Sequence, residues 1–223
     1  GGSEKTKFFV SGAYYKENGM FKSNPLDDYN ANIGLERYNL RSNVDMDITP
    51  TTKLSVDLSG QYRTQNNPGN SSDQLFKHII LFPTHLVPFT WSDGTAAVCD
   101  TDADGRYNPY NLLNYSGYSK KWSVAMQTKA TLRQKLDFIT KGLSVQGSIS
   151  FDADFSSTLA RSTSPDKYTV KGRDENGQLI KTLFAEGSPL GEASVSTSSG
   201  TKKIYIEAQL NYERTFAKKH AVT

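Results

Sequence analysis

The segment Trp122–Leu136, WSVAMQTKATLRQKL, alternates strictly. Trp122, Val124, Met126, Thr128, Ala130, Leu132, Gln134 and Leu136 form a largely apolar set, and the residues between them are all small or polar. Strict alternation is the mark of a β-strand with one dry face. A helix is excluded, because it would bring Lys129 and Arg133 onto the stripe of Trp122 and Met126. Strands in soluble proteins usually run about 5–6 residues. This one is far longer, greasy on one side and cationic on the other.

The pattern recurs. In GLSVQGSISFDADFSS, Leu143, Val145, Ile149, Phe151, Ala153 and Phe155 alternate with Ser144, Gln146, Ser148, Ser150, Asp152 and Asp154. In KKIYIEAQLNYERTF, Ile204, Ile206, Ala208, Leu210 and Tyr212 alternate with Glu207, Gln209 and Asn211. The segments KLSVDLSGQYR and NLRSNVDMDIT behave alike, and KFFVSGAYY is a less regular first strand. The reading is all-β: an antiparallel up-and-down meander of about six long strands, near 7–15, 38–49, 53–65, 120–137, 143–157 and 202–216. Tight turns are expected at Thr49–Thr52, Phe138–Gly142 and Ala217–Ala221, and long loops at 16–37, 66–119 and 158–201. Short turns at one end and long loops at the other is the layout of a transmembrane β-barrel, whose strands need roughly 9–11 residues to span. Tyr14, Tyr38, Tyr62 and Trp122 sit at the long-loop ends, and Phe8, Phe138 and Phe216 at the short-turn ends. Aromatic girdles occupy the two membrane interfaces in this way. The expected location is therefore the outer membrane of a Gram-negative bacterium, in contact with lipid. The alternative is a soluble, surface-exposed glycan-binding β-domain, since a sandwich also alternates, with shorter strands.

Composition agrees with alternating strands. Hydrophobic residues are 36%, low for a soluble domain, while 12 Tyr and 11 Phe argue against disorder. The 26 basic and 23 acidic residues nearly cancel, so no nucleic-acid partner is expected. No apolar run approaches a membrane helix. The single cysteine, Cys99, excludes an internal disulfide.

The loops hold few chemical signals. SSDQLFKHIILFP reads as one short loop helix, capped by Ser71 or Ser72, with Leu75, Ile79 and Phe82 on one face and Pro83 ending it. Asp100, Asp102 and Asp104 followed by Gly105 resemble the start of a calcium loop, but Asn111 stands where a bidentate Glu belongs. A solvated acidic turn is the preferred reading, and no cofactor is expected. Trp91, Tyr107, Tyr110 and Tyr115 are candidate ligand-binding aromatics, with the anchoring of a long loop as the other reading. Asn176-Gly177 suggests a type I′ turn inside the last loop. His78, His85 and His220 belong to no catalytic motif, so no enzyme is expected. On the polar face, Lys129, Arg133 and Lys135 are expected to line a lumen and to meet carboxylates such as Asp152 and Asp154.

Several stretches also carry a family resemblance. GGSEKTKFFVSGAYYKENGMFK, YNLRSNVDMDITPTTKLSVDLSGQYRTQNNPG, LFKHIILFPTHLVPFTWSDGT, NPYNLLNYSGY and the turn Leu136–Ser144 resemble, in order, the barrel of SusC/RagA-type TonB-dependent outer-membrane transporters. The resemblance implies a barrel of about 22 strands filled by a plug. It implies TonB-dependent import of oligosaccharides or peptides beneath a SusD-type surface lipoprotein. Plug and TonB-binding segment are not among these residues, so this segment alone is expected neither to close nor to transport.

Overall fold

A computed structural model describes residues 1–21, 29–98, 107–216 and 220–222. Six long strands, β1 (Thr6–Asn18), β2 (Gly34–Thr49), β3 (Thr52–Pro68), β5 (Gly117–Lys135), β6 (Leu143–Ser162) and β9 (Ser194–Tyr212), form one sheet. Its order is β1-β2-β3-β5-β6-β9, and every pairing is antiparallel. Each strand pairs with its nearest long neighbour in sequence, as the tight turns demand for β2–β3 and β5–β6. The pairing β1–β9 that would close the sheet does not occur among the described residues; the outer edge of β1 meets only Gly1 and Gly2, near Lys7 and Phe8, and no described strand pairs with the outer edge of β9.

Register fixes which residues share a side, since directly paired residues face the same way. One row reads Phe8, Val44, Val56, Ala130, Ile149, Ile206, and the next Val10, Ser42, Leu58, Thr128, Phe151, Ile204. Toward the long loops the same side carries Tyr14, Tyr38 and Tyr62 in direct register, their rings 4.9 and 6.2 Å apart. Val124, Met126, Leu132, Val145 and Leu210 share this side. The opposite side reads Phe9, Asn43, Asp57, Lys129, Ser150, Tyr205, then Ser11, Arg41, Ser59, Gln127, Asp152, Lys203. No second sheet covers the apolar side among the described residues: Ile149 is 50% exposed, Ile206 73% and Leu210 70%.

The short connections are built from side chains that cap their own turns. Thr49 Oγ1 donates to Thr52 Oγ1 at 2.7 Å and accepts from the Thr51 amide at 3.2 Å. Between β5 and β6, the Gly142 amide donates to Asp137 Oδ1 at 2.8 Å. Gly142 has φ +89°, and a Cβ there would lie 2.0 Å from the Glu213 carbonyl oxygen, so the turn requires glycine. The sixth strand breaks earlier than its expected end at 216. β9 stops at Tyr212, and β10 (Arg214–Phe216) pairs antiparallel with β11 (His220–Val222). Residues 217–219 of the expected turn lie outside the described residues.

The loops between long strands are folded. α1 (Ser72–Leu81) is capped by Ser71, whose hydroxyl accepts from the Gln74 amide at 3.3 Å. Its buried face is Leu75, His78 and Phe82, while Ile79 is half-exposed, contrary to the expected Leu75–Ile79–Phe82 stripe. Spacings i, i+3, i+7 and i, i+4, i+7 both fit one side of a helix. His78 wins the inner place through its ring nitrogen, which accepts from the Tyr107 amide at 3.3 Å. A second helix, α2 (Pro109–Asn114), follows an Asn108 cap. Beyond it, β4 (Ala96–Ala97) pairs parallel with β7 (Lys167–Arg173), which pairs antiparallel with β8 (Leu179–Ala185). The β7–β8 turn corrects the expected one. The Gly177 amide donates to the Asp174 carbonyl at 3.0 Å, so Glu175 and Asn176 are central and Gly177 follows at φ +77°. Asp174 selects this form, because its carboxylate accepts from both the Asn176 and Gln178 amides.

Candidate functional site

Asparagines stitch the loops at the long-loop end of the sheet. Asn108 Nδ2 donates to the Phe89 and Ala97 carbonyls at 2.7 and 3.0 Å, and Asn111 Nδ2 donates to Ala97 at 3.1 Å. Asn66 Nδ2 reaches the Asn30 and Asn32 carbonyls, both at 2.8 Å. The Tyr29 hydroxyl donates to the Asn114 carbonyl at 2.9 Å and accepts from the Gly117 amide at 3.2 Å. A small core of Phe82, Val87 and Ala97, with Trp91 against it, anchors this assembly. Irregular backbone has no ladder to satisfy its carbonyls, and amide side chains supply the missing donors.

The assembly borders an open pocket of about 1030 Å³. Tyr29, Tyr115, Tyr118 and Tyr168 are among its lining residues, as are the charged Arg161 and Asp166. Arg161 is fixed by donation to the Gly191 carbonyl at 2.7 Å, and Asp166 by accepting from the Gly187 amide at 2.7 Å. On the rim, Asp93 pairs with Lys181 and accepts from Thr95 twice. The Lys181 bond, followed by those of Thr95, holds the Asp93 carboxyl far below the usual carboxylate range. Tyrosine rings with fixed hydrogen-bonding groups suit a polar ligand that offers both flat faces and hydroxyl or amide groups.

The four aromatics expected to bind ligand are dispersed. Tyr115 lines this pocket but is only 4% exposed, packed at 5.9 Å against Tyr110. Tyr110 in turn stacks on Phe89. Trp91 lines a separate hollow with Val170 and Leu179, and its ring N–H is engaged by the Tyr168 carbonyl at 2.8 Å. Tyr107 stands edge-on to His78 at 5.2 Å, with Lys167 over its ring at 5.6 Å. Three of the four therefore anchor loops without facing the pocket. Tyr29, Tyr118, Tyr168 and Arg161 carry no common sequence signal, because segments far apart in the chain bring them together. Asp100, Asp102 and Asp104 lie outside the described residues.

Lys129, Arg133, Lys135, Asp152 and Asp154 all lie on the polar side of the sheet. Lys129 stands between Asp57 and Ser150, Arg133 between Lys53 and Gln146, and Lys135 opposite Ser144. Asp152 stands between Gln127 and Lys203, and Asp154 between Ala125 and Thr201. Among the described residues, the expected ion pairs of these cations with Asp152 and Asp154 do not form. Register explains it: Lys129 faces Ser150, one step short of Asp152 on the same side. Two depressions lie along this side. One, of about 640 Å³, includes Arg41, Asp57, Lys129 and Asp152; the other, of about 350 Å³, includes Arg63, Lys121, Asp154 and Ser199.

No protein-family model matches the chain. Over 97% of its length it is 26% identical to the TonB-dependent receptor P3 of Formosa agariphila, and it spans about a fifth (19%) of that protein's length. The chain is thus similar in sequence to part of a TonB-dependent receptor.

Proposed function

We propose that this chain is a wall segment of an outer-membrane importer of the SusC/RagA type, driven through TonB. The observation that carries the reading is the uncovered apolar side of a six-stranded sheet, with Ile149, Ile206 and Leu210 facing outward. Contiguous apolar surface of this extent is stable in lipid, and a sheet in lipid must belong to a closed barrel. The open edges of β1 and β9 are then joined to further strands of the same barrel. Helices play no spanning role: no described helix is long and apolar enough to cross a membrane.

In this reading the tyrosine row marks the outer interface, and the loops beyond it are extracellular. The polar side, with Lys129, Arg133, Lys135, Asp152 and Asp154, lines the lumen. The tyrosine-walled pocket meets the incoming oligosaccharide or peptide, and a SusD-type lipoprotein sits over the loops. The segment binds and conducts, and is not an enzyme. The likeness to the receptor of Formosa agariphila supports the class. Membrane fractionation of cells making the full-length protein tests it: outer-membrane recovery, with extraction only by detergent, is expected. Recovery in the soluble fraction would instead favour a surface-exposed glycan-binding β-domain.

A further inference from the structure

Near the long-loop end of the polar side, Arg37 of β2 and Arg63 of β3 are directly paired in register. Like charges opposite one another on adjacent strands are destabilising, so the arrangement is costly without an anion between them. The tyrosine row at Tyr38 and Tyr62 lies one residue away on the other side, which sets the arginine pair at the level of that girdle. Lys121 of β5 stands opposite Gln65, two residues along β3 from Arg63.

The acids on this side do not neutralise the pair. Glu17 accepts from the Tyr15 hydroxyl at 2.9 Å and makes no ion pair with Arg37. Asp154 lies two strands across and two residues along from Arg63, roughly 12 Å at ordinary strand spacing and rise, and makes no ion pair with it. Arg63 donates to Gln65 Oε1 at 3.0 Å, a neutral partner. Arg37 has the Tyr15 ring at 5.3 Å from its guanidinium carbon, and its Nε is buried without a hydrogen-bond partner. A buried, unmatched donor on a guanidinium is a group waiting for an acceptor. The depression of about 350 Å³ is lined by Arg63 and Lys121, with Arg37 outside its lining; Asp154 shares the wall with Gln61, Ser123 and Ser199.

We propose that Arg37, Arg63 and Lys121 form an oxyanion site, which takes the carboxylate or sulfate group of an acidic substrate moving along the polar side. Guanidinium forks match such groups in a bidentate way. The assignment rests on the importer reading for the identity of the ligand, but not for the site itself.

Inorganic sulfate is the probe. Full-length protein in detergent is titrated with sodium sulfate at constant ionic strength and followed by thermal unfolding. Wild type should show a saturable rise in melting temperature. Arg37→Gln/Arg63→Gln should lose it, or need at least about tenfold more sulfate, since it removes charge-assisted bonds. Should that double variant misfold, Arg63→Lys keeps the charge without the fork, and it should weaken the response severalfold. Competition by tetragalacturonate or by tetraglutamate assigns the carrier as sugar or peptide; displacement by neither overturns the proposal. So does an unsaturable response in wild type, or an equal response in the variants. A lower melting temperature in the double variant with no sulfate response in wild type would give the pair to an acidic side chain of the protein itself, and would equally overturn it. None of these outcomes alters where the protein fractionates, so failure here is separate from failure of the importer reading.

Discussion

Two residues govern local conformations that no substitute reproduces. Gly142 carries the β5–β6 turn at φ +89°, hard against the Glu213 carbonyl. Gly142→Ala should therefore cost more than about 1 kcal/mol in unfolding measurements, whereas an Ala tolerated at an ordinary φ would stabilise slightly. His78 is 3% exposed, and burial, followed by the charge of Lys77, lowers its pKa below the usual imidazole value of 6.5. Its folded form thus favours the neutral ring. The contribution of His78 is complete above about pH 6.5 and declines as pH falls toward the lower folded value, because the unfolded chain takes up the proton first. Protonation also removes the acceptor for the Tyr107 amide. Amide exchange at Tyr107, after correction for intrinsic rate, should quicken from pH 7.5 to pH 5 in wild type, and should stay level in His78→Gln. Equal pH dependence in both would detach the effect from His78.

At the scale of elements, the loop hairpin hangs on one tryptophan. Trp91 donates to the Tyr168 carbonyl and packs on the Phe82–Val87–Ala97 core. Trp91→Phe keeps a ring but removes the donor, and should cost about 1 kcal/mol. Faster amide exchange is expected in β7 and β8, with β2, β3 and β5 unchanged; a sheet-wide effect would show that loops and sheet unfold as one unit. The contrast between sheet and loops also explains what was legible in the sequence. Strands were readable wherever one side is apolar, because register then fixes a period of two. They were invisible where both sides are polar. β6 runs on through Ser156–Ser162 and β9 begins at Ser194, in stretches rich in Ser and Thr with no apolar alternation. Helix α2 was signalled only by Asn108-Pro109, an N-cap followed by proline at the first helical position. The pocket was not legible. Tyr29, Tyr118 and Tyr168 come together through contacts between distant segments, the Tyr29 hydroxyl on the Asn114 carbonyl and the Trp91 ring N–H on the Tyr168 carbonyl, which leave no local sequence pattern.

For the whole molecule, the decisive property is that the two sides of one sheet face different surroundings. The apolar rows are continuous across all six strands, from Phe8 to Ile206. The polar rows hold depressions lined by Arg41, Asp57 and Lys129. If lipid meets the first side, Ile149→Arg in the full-length protein should cost roughly 2–4 kcal/mol near the midplane. The neighbouring Ser150→Arg on the polar side should cost far less, as judged by unfolding from lipid vesicles. The open edges of β1 and β9 carry unpaired backbone groups, which lipid does not satisfy. In the intact barrel their amides should therefore be as protected from exchange as those of β3.

The central claim, that this sheet is a membrane wall with a wet and a greasy side, is tested most directly by scanning one strand with spin labels. β6 is the choice, with single cysteines placed in turn from Val145 to Phe155 in full-length protein reconstituted into bilayers, and Cys99 replaced by serine. Accessibility to oxygen, which concentrates in lipid, should peak at Val145, Ile149, Phe151 and Phe155. Accessibility to a water-soluble nickel chelate should be confined to the alternate positions Gln146, Ser150, Asp152 and Asp154. Oxygen and nickel profiles that rise and fall together along β6, or oxygen accessibility that is low at Ile149 and Phe151 alike, would contradict the account and place the apolar side against protein.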